Sequence, residues 1–91
     1  MASDTLERRN ERARQKGWSS YGQQRYWMAR FALDEAGTAR QLADRICGGE
    51  QHGRGGSYLC TACNERVNPR DGARRGEWQA RLVNTALHGT S

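Results

Sequence analysis

The chain has no long apolar run, almost no lysine and too few cysteines for a disulfide framework. No stretch approaches the roughly 18 consecutive apolar residues of a membrane span, so no membrane association is expected. No apolar signal segment stands at the N-terminus, which points to a reducing, cytoplasmic setting where disulfides are disfavoured. The three cysteines, Cys47, Cys60 and Cys63, are odd in number and cannot pair completely. They are also one short of the set that holds most iron–sulfur clusters. Several catalytic signatures are missing: a His-Glu-x-x-His helix, a Gly-x-Ser-x-Gly elbow and a phosphate loop. A deaminase pattern fails because Glu50 precedes His52 instead of following it. The βαβ context that a Cys-x-x-Cys redox pair needs is absent as well. The expectation is therefore not an enzyme.

Apolar residues make up only 35% of the 91 positions, which limits the chain to one domain with a small core. Domains this small usually need a staple. All three cysteines and His52 fall in one segment, ordered Cys47-x4-His52-x7-Cys60-x2-Cys63. Two thiolates three residues apart at a tight turn can face one ion, and four such donors close a tetrahedral Zn2+ site. The glycine pairs Gly48-Gly49 and Gly55-Gly56 bracket His52 and let the backbone curl round a metal. Cys47, His52, Cys60 and Cys63 are the expected ligands. His88 or a carboxylate in place of His52, and free structural cysteines with no metal, are the alternatives. Binding energy at such a site is folding energy.

The net charge is +5, and Lys16 is the only lysine among fifteen cations. A GC-rich genome alone favours arginine. The charge itself favours an anionic partner through long-range steering. A helix is expected from Asp4, an N-cap with Glu7 three residues on, to a stop at Gly17. It carries Arg8, Arg9, Arg12, Arg14 and Lys16 on almost no apolar stripe, so residues 1–17 read as a basic helix or arm. Residues 18–91 read as the stapled domain. Ser19 or Ser20 caps a second helix from Tyr21 to about Glu35, rich in aromatics. Most of these suit a core, while Trp18, Tyr26 and Trp27, near Arg25 and Arg30, are candidates for binding a partner or stacking on bases.

Gly37 is read as ending the second helix, and Thr38 with Gln41 as the capping box of a third. There Ala39, Leu42, Ala43 and Ile46 share a face. The string Thr38–Ile46 resembles the first helix of a helix-turn-helix, but the chain then enters Cys47-Gly-Gly where that motif needs a turn and a recognition helix. A hairpin is expected next, with Ser57–Leu59 and Glu65–Val67 as strands and Cys60–Asn64 as the turn, Asn64 being left-handed. Pro69 and Asp71-Gly72 mark a loop. A last helix runs from about Ala73 to His88, with Trp78, Leu82, Val83 and Ala86 buried and Gly89 as its stop. The expected fold class is α+β, mostly helical, with about four helices around a small zinc-binding hairpin.

Residues 12–25, an Arg-rich helix broken by Gly-Trp-Ser-Ser-Tyr, are similar to segments of small proteins encoded by phages of GC-rich actinobacteria. Tyr58-Leu59-Cys60-Thr61-Ala62-Cys63 resembles a zinc-ribbon knuckle. Such phage proteins commonly meet nucleic acid or a host machine, so the resemblance implies a class of origin and not an activity, and a regulatory role is the expectation. Three functions follow. The first is a zinc-stabilised module binding nucleic acid, duplex DNA foremost, through Arg8, Arg9, Arg12, Lys16, Arg74 and Arg75. The second is an interaction module, anchored by Trp18, Tyr26, Trp27 or Trp78, that redirects or inhibits a host protein such as the transcription apparatus. The third is a small metal-dependent enzyme with His52 freed as a base.

Overall fold

The computed structural model describes residues 5–48, 52, 59–67 and 74–89. Among them the fold is all-helical, with five helices: α1 (Leu6–Gln15), α2 (Tyr21–Leu33), α3 (Glu35–Cys47), α4 (Thr61–Val67) and α5 (Arg75–His88). No strand occurs among these residues, so the expected α+β class and its zinc hairpin are overturned. Glu65, Arg66 and Val67 are helical, and Asn64 donates its backbone N–H to Cys60 O at 2.8 Å in the first turn of α4. Asn64 has no left-handed backbone. Ser57 and Tyr58 of the expected first strand lie outside the described residues. The spacing of the buried side chains gives the physical reason. Cys63 and Val67 are both fully buried. Glu65, midway between them, is exposed, whereas a strand would place Cys63, Glu65 and Val67 on one face.

Helix α1 starts one residue later than expected. Thr5 is its N-cap, and the Thr5 hydroxyl accepts from Arg8 N at 3.3 Å, while Asp4 lies outside the described residues. It ends where Gly17 takes φ +97°, a conformation that costs other residues dearly. The reversal sends Trp18 N back to Ala13 O at 2.9 Å and drives the Trp18 ring into the core. Ser20 caps α2 through Gln23 N. Tyr21 N also donates to Asn10 Oδ1 at 2.8 Å, which fixes the start of α2 against α1.

The junction of α2 and α3 also differs from the reading of the sequence. Gly37 does not end α2, and Thr38 does not cap α3. Asp34 breaks the helix with a non-helical backbone, φ −157° and ψ 87°, and its carboxylate accepts from Gly37 N at 2.9 Å, so α3 begins at Glu35. Asp outcompetes Thr as a cap because it stands at the actual break. Thr38 is then buried one turn in, donating its hydroxyl to Arg30 O at 3.2 Å and tying α3 to α2.

Helix α3 packs on α2, α4 and α5, and α1 packs on α2. The core joins Trp18, Trp27, Phe31, Leu42, Val67 and Leu82 with Trp78, whose ring centroid lies 6.4 Å from that of Phe31. The Trp27 indole N–H, which would be costly to bury unpaired, donates to Gln23 Oε1 at 2.9 Å. No described helix is long and apolar enough to cross a membrane.

Candidate metal centre

The last turn of α3 and the first turn of α4 build the site. Asp44 and Cys47, three residues apart, face the same side of α3. Gly48 then turns the chain with φ +73°. Cys60 precedes α4 and Cys63 lies in its first turn. Cys63 N donates to Cys60 Sγ at 3.4 Å, so the thiol of Cys60 occupies the place of a capping oxygen.

Cys47, His52, Cys60 and Cys63 converge, with their donor atoms all within 4.8 Å of one another. Cys47 Sγ lies 3.3 Å from Cys60 Sγ, and Cys63 Sγ lies 3.5 Å from His52 Nε2. Donors bonded at about 2.0–2.3 Å to one tetrahedral ion stand roughly 3.5–3.8 Å apart. The cluster matches that spacing once its widest pair closes by about an ångström. His52 and Cys63 are buried, and Cys47 and Cys60 are half-buried. The donor set therefore fits a closed, four-ligand metal site.

Asp44 completes the arrangement, and nothing in the sequence reading singled it out. Its Oδ1 lies 2.5 Å from His52 Nδ1. A carboxylate only accepts, so Nδ1 carries the proton and Nε2 presents its lone pair to the sulfurs. A carboxylate on the far nitrogen of the ring is the arrangement that orients many metal-ligating imidazoles. The only sequence signal was an acid one turn before a ligand cysteine.

Electrostatics sort the donors. The Cys63 backbone N–H does most to stabilise the Cys60 thiolate, and it holds the pKa at about 6 against the opposing effect of burial. Burial pushes the Cys63 thiol well up, and its sulfur sits 3.6 Å from Ala43 O. For His52, burial lowers the pKa, but the hydrogen bonds and charges of Asp44 and Cys60 outweigh it and the net shift is upward.

His88, the alternative fourth ligand, stands exposed in the last turn of α5 and is not part of this cluster. Arg8, Arg9, Arg12 and Lys16 are exposed along and just beyond α1. Arg74 is the exposed N-cap residue of α5, and Arg75 is engaged in an ion pair with Glu35. Trp18 and Trp27 are core residues, 3% and 6% exposed, whereas Tyr26 is 55% exposed beside Trp27 with Arg30 over its ring. The structure thus brings the four metal donors together and sets the cations of α1 well apart from them along the chain. No protein-family model, curated protein or solved structure matches this chain.

Proposed function

We propose that the chain is a small zinc-stapled protein that binds nucleic acid through α1, the metal holding the scaffold and doing no chemistry. The donor set supports zinc: three thiols and one imidazole make a soft tetrahedral site, one of the usual structural zinc environments. Asp44, His52 and Cys63 also follow the order of a nucleophile triad. However, the Cys63 sulfur is fully buried and offers a substrate no approach. A ligand role suits that burial.

The observation that carries the partner is the layout of α1. Arg8, Arg12 and Lys16 recur every four residues, so they share one exposed flank with about 6 Å of rise between successive cations. Glu7 and Glu11 fall on the neighbouring flank. Only Ala13 of α1 is buried, so core packing accounts for little of the helix. Regulation within a phage-infected cell accords with the resemblance of residues 12–25 and 58–63 to small actinobacterial phage proteins.

Replacing Arg8, Arg9 and Arg12 by alanine tests the reading. Duplex DNA affinity should fall, and its salt dependence should flatten by roughly one unit of slope per lost phosphate contact. Zinc content and thermal stability should hold. Absence of DNA or RNA binding by the wild-type protein at physiological salt would overturn the proposal.

A second reading, a module that docks on a host protein, rests on α2. Tyr26 and Leu33, seven residues apart on one face of that helix, are 55% and 89% exposed. A host protein recovered equally with and without nuclease, by an interaction insensitive to salt, would favour this reading.

A further inference from the structure

Lys16 and Arg74 are fifty-eight positions apart in sequence (74 − 16) but line one groove of about 260 Å³, where the end of α1 meets the start of α5. Trp18 and Met28 form its apolar wall, and Gln24 and Glu77 add polar groups. Gly76, the second residue of α5, lines the groove without a side chain, and an added Cβ there would meet nothing within 4 Å. We propose that this groove seats one unpaired nucleotide of a strand whose phosphates follow the α1 stripe. The inference rests on the nucleic-acid reading above and narrows its substrate to single-stranded or locally opened nucleic acid.

Four features support that occupant. Lys16 is the last cation of the Arg8–Arg12–Lys16 stripe, so a backbone tracked along α1 arrives at the groove. Arg74 supplies a cation from the opposite side, and together the two outnumber the one acid, Glu77. The volume falls below the roughly 300–1,000 Å³ of common small-molecule sites, which suits a single base more than a whole cofactor. Finally, the wall is suited to a base: Met28 is 42% exposed and its thioether packs well on an aromatic ring, while the Gln24 amide can both donate and accept at a base edge. Charged grooves with apolar platforms are the usual means of holding single strands.

The test is fluorescence anisotropy on the full-length, zinc-loaded protein. The probes are a short labelled oligothymidylate and a duplex of the same length. Gly76→Leu fills the groove without touching a charge and gains helix propensity. It should weaken single-strand binding about tenfold and duplex binding less than about twofold. Arg74→Gln should also weaken the single strand and lower its salt slope by about one. Arg8→Gln with Arg12→Gln should weaken both probes. Unchanged single-strand affinity in Gly76→Leu and Arg74→Gln, or equal loss on both probes, would overturn the groove while leaving the α1 reading intact. Failure of the wild-type protein to bind either probe would remove both.

Discussion

His52 donates its Nδ1 proton to Asp44 across 2.5 Å and so turns Nε2 toward the three sulfurs. The ligand is thereby oriented before any ion arrives. Asp44→Asn keeps the size of the side chain but removes its charge. It should weaken zinc retention about 10–100-fold, the usual effect of losing such a partner. Competition against a chromophoric chelator measures this directly. Unaltered affinity would mean that Asp44 does not support the ligand.

Removing the metal should cost the fold, not only the site. Cys47 closes α3, Cys60 precedes α4 and Cys63 lies in its first turn, so an ion held there would tie the end of α3 to the start of α4. We expect one zinc per chain in protein purified without a polyhistidine tag, and a lower melting temperature with reduced helicity after chelation. Cys63→Ser should be the most damaging single ligand change, because that position is wholly buried. His52→Ala should release metal while His88→Ala should not. Full stability in metal-free protein would refute a structural role.

Zinc affinity should rise with pH. The buried Cys63 thiol keeps its proton at neutral pH, and a metal–sulfur bond expels it. Cys60, with a pKa of about 6, is already mostly thiolate at neutral pH and adds proton competition only as the pH falls through that value. Against burial, Asp44 and Cys60 hold the His52 pKa above its usual value, so His52 must also shed a proton to bind metal. The loss of affinity on acidification should therefore begin with His52 and steepen further as the pH falls through about 6. Calorimetry in buffers of different ionisation enthalpy would count the released protons. A pH-independent affinity would contradict thiol ligation.

The sequence showed some of this plainly and some not at all. The four donors stood out because three cysteines and a histidine are rare and close together. The stripe of Ala39, Leu42 and Ala43 showed because a helical period needs only local spacing. The hairpin was misread because Cys-x-x-Cys suits a turn between strands as readily as the start of a helix. Burial of Cys63 and Val67 with Glu65 exposed between them decides for the helix, and burial is a tertiary property. Thr38 carried a good capping pattern, but Asp34 four residues earlier captured the helix start. Asp44 looked like an ordinary solvated acid until His52, eight residues on, folded against it.

The Asp34 cap gives a prediction that reverses sign. An added Cβ at Gly37 would lie 2.7 Å from Asp34 Cγ, crowding the carboxylate that caps α3. Gly37→Ala should therefore destabilise the zinc-loaded protein by about 1 kcal/mol, the worth of a lost cap, despite alanine's better helix propensity. Asp34→Ala alone should cost about as much. Once Asp34 is alanine, the same Gly37→Ala change should stabilise by about 0.5–1 kcal/mol, since only propensity remains. Urea denaturation of the four-member cycle tests this, and simple additivity would sink it.

Gly17 and Ala80 set the approach of α1 to α5. Gly17 holds φ +97°, and a Cβ there would sit 3.3 Å from Ala80 Cβ. The Asn84 side-chain amide donates to Gly17 O from the same helix, which fixes the turn in place. Gly17→Ala thus meets two obstacles, a strained backbone and a close neighbour. The backbone term should dominate at about 1–2 kcal/mol, because a contact of that length yields with a shift of a few tenths of an ångström. Ala80→Gly separates the two. Added to Gly17→Ala, it opens the space but leaves the left-handed strain, so it should restore little stability. Full recovery in the double variant would show that packing against α5, and not the backbone, demands glycine here. In either case Trp18 should lose burial in Gly17→Ala, because the turn at Gly17 is what directs that ring inward. A red-shifted tryptophan emission, absent from Ala80→Gly alone, would record the change.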